Sequence, residues 1–226
     1  MGTDEVFHKR KARRAKDLVR QQARRAPYDK VLIVCEGEKT EPYYFKELKE
    51  HYKLDSANVE ITGQCDSSPM CVVRYARQRY REAQKAGDAF DTVFCVFDKD
   101  THGDYRQALD TLGSAKPMGV FKAIHSVPCF EYWLLLHFDY TDQPFYAAGT
   151  RSVGAMALQR LKQHWPEYEK ASRGVFEKTV KNLEIAKTNA VYALSAAQAN
   201  QTENPSTRVH ELVAYLQQLK NRRASN

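Results

Sequence analysis

Lys30-Val31-Leu32-Ile33-Val34-Cys35 is a continuous apolar run, rich in β-branched residues, that stops abruptly at Glu36-Gly37-Glu38. It has no polar alternation, so both of its faces must be covered. That is the mark of a strand inside a parallel sheet flanked by helices. Thr40-Glu41-Pro42 then opens a helix, with Thr40 as its cap, Pro42 in the first turn, and Tyr44, Phe45 and Leu48 on one face. A second run of the same kind, Thr92-Val93-Phe94-Cys95-Val96-Phe97, stops at Asp98-Lys99-Asp100.

Between the two runs lie a short alternating strand, Val59-Glu60-Ile61-Thr62, and a helix that Ser68-Pro69 starts and Gly87 ends. After them come a polar helix from Gly103 to Leu112, a strand over 120–124, and an aromatic helix opened by Pro128 and running to Phe138. Strands alternating with helices predict βαβ units. The expected fold class is α/β, a Rossmann-like parallel sheet of about four strands flanked by helices. Helices are expected over 151–164, 176–199 and 207–220, with Asn204-Pro205-Ser206-Thr207 separating the last two. The expected organisation is a basic arm, 1–28, an α/β core, 29–150, and a helical C-terminal region, 151–226, packed on that core.

A length of 226 residues allows one well-buried domain or one domain with a helical addition. No stretch approaches the ~18 consecutive apolar residues of a membrane span. The basic N-terminus is not followed by an apolar segment, so no secretory signal is expected and the expected location is cytoplasmic. The five cysteines, Cys35, Cys65, Cys71, Cys95 and Cys129, are odd in number and form no CxxC pair. They read as reduced thiols used as small core residues rather than as a zinc site.

The formal charge of +7 is uneven. Between His8 and Arg25 there are nine basic residues, among them Arg10, Arg13 and Arg14, against the single acid Asp17. The segment therefore carries +8 and the rest of the chain −1. Such an arm suits contact with phosphates, whose neutralisation releases counterions. A solvated arm or a partner-docking segment fits the same pattern.

In open parallel sheets, ligands bind beyond the carboxyl ends of the strands. Glu36 stands at that end of the first strand, and Asp98 and Asp100 at that end of the third. If the two strands are neighbours, three carboxylates converge and repel one another unless a cation neutralises them. Their hard oxygens favour Mg²⁺ or Mn²⁺. Taken singly, each acid also reads as a cap or turn residue. There is no P-loop, no GxGxxG fingerprint and no GxSxG elbow, so ATP hydrolysis by the chain itself is not expected.

A hydrophobic strand ending in Glu-Gly, followed later by one ending in Asp-x-Asp, resembles the TOPRIM domain. Four blocks, in order, resemble the RloB-like family more specifically. They are Ile33 to Phe45, Phe97-Asp98-Lys99-Asp100, Pro128 to Phe138, and Asn204-Pro205-Ser206-Thr207-Arg208-Val209-His210. One departure is Val127, where many relatives carry Asn before the Pro-Cys-Phe-Glu block; Ser126 is a polar neighbour there. The resemblance implies general acid/base work for Glu36 and divalent-metal binding for Asp98 and Asp100. It also implies a role in anti-phage defence beside an AAA or ABC-type ATPase partner. The expected activity is metal-dependent phosphodiester hydrolysis, with RNA, tRNA in particular, or DNA as substrate. The rival readings are a non-catalytic module that regulates the ATPase and a simple nucleic-acid-binding protein.

Glu131, among Phe130, Tyr132 and Trp133, is costly if buried without a partner. It reads either as a further acid of the site or as a helix N-terminal acid favoured by the dipole. Lys39 offsets phosphate charge near Glu36 or is a solvated turn lysine. His102, two residues past Asp100, suits phosphate contact or proton transfer. Glu38, Glu41 and Lys170 rank behind these. His125, His137 and His210 read as structural.

Overall fold

The computed structural model describes residues 29–54, 58–64, 68–100 and 102–224. The basic arm, with Arg10, Arg13 and Arg14, lies outside them. Among the described residues the strands are β1 (Val31–Cys35), β2 (Val59–Thr62), β3 (Thr92–Asp98), β4 (Phe121–Val127) and β5 (Ser206–Thr207). They form one sheet in the order β2-β1-β3-β4-β5, with the first four strands parallel. The helices are α1 (Thr40–His51), α2 (Pro69–Lys85), α3 (Tyr105–Gly113), α4 (Phe130–Leu135), α5 (Val153–His164), α6 (Val175–Thr179), α7 (Leu183–Ala199) and α8 (Val209–Ala224), with a 3-10 turn at Val180–Asn182.

The unbroken apolar runs are explained by two cores, one on each face of the sheet. From β1, Val31, Ile33 and Cys35 join α1 and the C-terminal helices, including Leu161, Phe176, Leu183, Val209 and Leu212. Leu32 and Val34 turn to the other face, against Val72, Val73 and Ala76 of α2 and the α3 residues Ala108 and Leu112. β3 divides in the same way, with Phe94 and Val96 on one side and Val93, Cys95 and Phe97 on the other. The C-terminal helices thus share a core with the sheet.

β1 and β3 are direct neighbours, with Cys35 opposite Val96. The chain leaves β1 for β2 on one side and returns to β3 on the other. Their C-terminal ends therefore lie at the topological switch point of the sheet, where such folds open a crevice.

Several expectations are corrected. The sheet has a fifth strand, since Ser206–Thr207 pairs antiparallel with Ser126 and Val127 instead of only separating helices. The fourth strand starts at Phe121 and runs on to Val127. Thr40 is the first residue of α1 and does not cap it; its hydroxyl accepts the Ala171 backbone N–H at 3.1 Å. The aromatic helix covers only Phe130–Leu135. Its end tightens through bonds from His137 N–H to the Leu134 carbonyl and from Phe138 N–H to the Leu135 carbonyl. The helix expected over 176–199 is interrupted at 180–182. Just before the break, the Thr179 hydroxyl bonds back to the Val175 and Phe176 carbonyls, a contact that bends helices.

Candidate active site

Glu36 follows the last residue of β1, and its backbone N–H still bonds to the Val96 carbonyl of β3 at 3.0 Å. Its side chain is buried. One carboxylate oxygen, Oε2, accepts the Asp98 backbone N–H at 2.9 Å. The other, Oε1, lies 2.9 Å from His102 Nε2. The Glu36–Gly37–Glu38 turn is itself wedged against β2. A Cβ on Gly63 would stand 2.0 Å from the Gly37 carbonyl oxygen and 2.8 Å from Glu38 Cα, so only glycine fits there.

Asp98 closes β3, and its Oδ2 accepts the Phe130 N–H at the start of α4 at 3.0 Å. That donor is one of the N–H groups a helix leaves free in its first turn. The loop beyond is tied to the end of β4 by Lys99 N–H on the Ser126 carbonyl, 2.9 Å, and Asp100 N–H on the Pro128 carbonyl, 3.0 Å. Asp100 adopts φ 25°, in the left-handed region that aspartate tolerates better than most side chains. It is exposed and turned toward α5: a Cβ on Gly154 would lie 3.6 Å from each of its carboxylate oxygens.

Glu131 stands in the first turn of α4, where the helix dipole favours an acid, and it is also buried, 1% exposed, beside the other acids. Its Oε1 receives the Tyr168 hydroxyl at 3.3 Å and the Lys170 ammonium at 3.2 Å. Its Oε2 is buried with no hydrogen-bond partner. Glu41, in the first turn of α1, is buried as well, and its Oε2 would lie 3.5 Å from a Cβ placed on Gly37.

These carboxylates share one field. Burial first, then the charges of Glu41, Glu131 and Glu36, push Asp98 well above the ordinary aspartate range, against the opposing Phe130 N–H. Burial, with Glu131 and Glu36 behind it, raises Glu41 to about 7, opposed by its own backbone N–H and by Lys170. Glu36 is raised by burial and, more weakly, by Asp104 and Asp100, while the Asp98 N–H and His102 resist. Acids that resist ionisation in this way are a common feature of functional sites.

Of the residues expected from sequence, the structure gathers Glu36, Asp98, Glu131 and His102 at the switch point, with Asp100 on its rim. Lys39 is exposed in the turn before α1. Glu41 and Lys170, ranked low from sequence, belong to the inner cluster. Tyr168 was missed, though an aromatic two residues before Lys170 was the available signal. Ser126 does not face the acids; its buried hydroxyl pairs with that of Thr207 at 2.9 Å, and Val127 fills the core on the α2–α3 side. His125 and His137 are held neutral by burial, both near 4, as structural histidines.

The donor set is all carboxylate, the chemistry of a hard divalent cation, and the partnerless Glu131 Oε2 is a buried oxygen such a cation would satisfy. As placed, no three His, Cys, Asp or Glu side chains among the described residues make a finished ligand group. The acids are neighbours in a shared field rather than a closed cage. No helix among the described residues is long and apolar enough to cross a membrane.

No curated protein and no solved structure matches the chain. A family model described as RloB-like protein matches residues 31–216, from the first residue of β1 into α8, and so takes in every residue of the site. With the match spanning the sheet, the acids and the C-terminal helices alike, this chain belongs to the RloB-like protein family.

Proposed function

We propose that the protein is a divalent-metal-dependent nuclease that hydrolyses phosphodiester bonds of RNA or DNA. On this reading it is the effector of an anti-phage system with an ATPase partner. The observation that carries the reading is the bond from Asp98 N–H to Glu36, which brings the acids of β1 and β3 to one point at the switch of the sheet. Asp98 and Glu131 would hold Mg²⁺ or Mn²⁺, with Asp100 on the open side. When bound, the ion supplies charge neutralisation on the phosphate and a more acidic water.

The chain's own residues divide the remaining work. Glu36 Oε2 is committed to the Asp98 backbone, so Oε1 is the atom that takes a proton, and His102 Nε2 is placed to pass it outward. Phe130 N–H fixes the orientation of the Asp98 carboxylate. Tyr168 fixes that of Glu131. Asp100, Lys39 and His102 line the approach for phosphate, and the arm, through Arg10, Arg13 and Arg14, adds phosphate affinity without sequence choice. The TOPRIM resemblance, with its Glu on one strand end and Asp-x-Asp on another, supports this division.

The test is cleavage of a panel of tRNA, other RNA and DNA by the purified chain with Mg²⁺ or Mn²⁺, alone and with a candidate ATPase partner. An Asp98→Asn, Asp100→Asn double variant serves as the control. Cleavage present in the parent and lost in the variant supports the nuclease. Absence of cleavage in every mixture replaces it with the regulatory-module reading.

A further inference from the structure

Lys170 reaches the most deeply buried of the site's acids that pair with a basic side chain. Its Nζ lies 3.2 Å from Glu131 Oε1, while the side chain as a whole is 57% exposed. Its backbone is fixed on both sides. Ala171 N–H bonds to the Thr40 hydroxyl at 3.1 Å, and Gly174 N–H to the Glu47 carboxylate at 2.6 Å. Tyr168, fully buried two residues earlier, packs on Trp165 with ring centroids 5.2 Å apart. The segment therefore delivers an ammonium on a flexible four-carbon stem to a fixed place at the edge of the acids.

We propose that Lys170 is the resident counter-ion of the acid cluster, standing through Glu131 where a divalent cation binds and leaving when one enters. The inference rests on the metal-dependent reading of the same acids. Glu131 presents two oxygens: Oε1 is taken by Tyr168 and Lys170, and Oε2 is buried without a partner. A cation on Oε2 would share one carboxylate with the Lys170 ammonium. Two positive charges that close on one buried carboxylate repel. The pinned backbone does not need to move to relieve this, because rotation of the exposed stem carries the ammonium into solvent. Burial works against the Lys170 charge, but Glu131 and Asp98 hold the ammonium above the ordinary lysine range, so the position is one where positive charge is favoured. The device keeps four crowded acids folded without metal and sets the cation concentration needed to load them.

The experiment is a calorimetric titration of the full chain with MnCl₂, paired with thermal melts in EDTA, for the parent, Lys170→Met, Lys170→Gln and Lys170→Arg. Gln keeps a polar head that reaches Glu131 but removes the charge; Arg keeps the charge. Met and Gln should each bind Mn²⁺ at least about tenfold more tightly than the parent, since a competing charge has gone. In EDTA both should melt lower, by about 2–4 °C. Arg should match the parent in both. An unchanged or weaker Mn²⁺ affinity in Met and Gln, with the parent binding normally, overturns the counter-ion role and leaves the nuclease reading standing. If no protein in the set binds Mn²⁺, the metal site itself is overturned, and this inference with it. Should Met fail to fold, the comparison of Gln with Arg decides the matter alone.

Discussion

Glu36 reaches across the β1–β3 junction to accept the Asp98 backbone N–H at 2.9 Å, and Asp98 in turn accepts the Phe130 N–H at 3.0 Å. Each acid thus stitches one element to the next, β1 to β3 and β3 to α4, with a single oxygen. An amide in place of either carboxylate keeps that accepting oxygen, removes the charge and turns the other oxygen into an NH2 group.

Glu36→Gln and Asp98→Asn should therefore fold like the parent while cleavage falls by about a hundredfold or more, the scale of a lost acid or base. Asp98→Asn carries a further expectation. Its carboxylate is pushed well above the ordinary range by burial and then by Glu41, Glu131 and Glu36. Removing a charge that the folded state resists should raise the metal-free melting temperature at neutral pH. Circular-dichroism melts in EDTA beside cleavage assays check both. An Asp98→Asn protein that is unfolded, or that still cleaves at the parent rate, contradicts the assignment.

Glu41 should contribute a loss of stability to the metal-free protein as pH rises through weakly acidic values. His125 and His137 oppose it, since their depressed values make stability rise over the same range. Burial, with Glu131 and Glu36 adding to it, holds Glu41 at about 7 in the folded chain against an ordinary 4.5. Between those values the folded state keeps a proton that the unfolded state has released. The contribution is fully present below about 4.5 and is lost as pH climbs through about 7. The 2.5-unit gap is worth on the order of 3 kcal/mol. Urea unfolding at a series of pH values from 4.5 to 7.5 in EDTA reads the slope, and Glu41→Gln should shift it toward rising stability by removing the falling component. A Glu41→Gln variant whose slope over that window equals the parent's would falsify the buried-acid account of Glu41.

How much of this was legible in the sequence depends on the range of the interactions. β1 and β3 announce themselves because strands covered on both faces carry unbroken apolar runs, and the acids at their ends follow directly. Glu41 was undervalued because a first-turn helix acid is ordinarily a solvated partner of the dipole. Its burial comes from the packing of α1 beside Gly37, which no local pattern encodes. β5 has two residues, too few for any periodicity, and it exists because Ser126 and Thr207 share a buried hydrogen bond. Tyr168 and Lys170 reach Glu131 across 37 and 39 positions of chain because Thr40 and Glu47 of α1 anchor the segment after them. Such a docking of two helices leaves no trace in spacing.

Gly63→Ala should damage the site without touching an acid. The new methyl would stand 2.0 Å from the Gly37 carbonyl oxygen, inside any allowed contact, and the obstacle is backbone on both sides. Either the end of β2 or the Glu36–Gly37 turn must shift. Overpacking of this kind costs about 1–3 kcal/mol. The displaced turn also moves Glu36 away from Asp98 N–H, so cleavage should fall by more than the loss of folded protein explains. Activity per folded molecule, with the folded fraction taken from a denaturant curve, separates the two effects. An alanine variant as stable and as active as the parent contradicts the close packing of β2 on the turn.

Glu47→Ala tests whether the segment carrying Tyr168 and Lys170 is held from α1. Glu47 accepts the Gly174 N–H at 2.6 Å with one oxygen and the Phe176 N–H at 2.9 Å with the other, satisfying backbone donors at the start of α6. A bond to a charged group contributes about 1.5–3 kcal/mol, so losing the pair should cost at least about 2 kcal/mol. The loss should be largest locally, because both lost bonds go to donors at the start of α6, while β1 and β3 keep their own sheet pairing. Hydrogen exchange should therefore quicken across 166–176 while the amides of Val31–Cys35 and Thr92–Asp98 keep their protection. Glu47→Gln keeps one neutral acceptor and should fall between alanine and the parent. Uniform loss of protection across sheet and segment alike would mean that Glu47 supports the whole core shared by Tyr168, Phe176 and β1 and not this segment in particular.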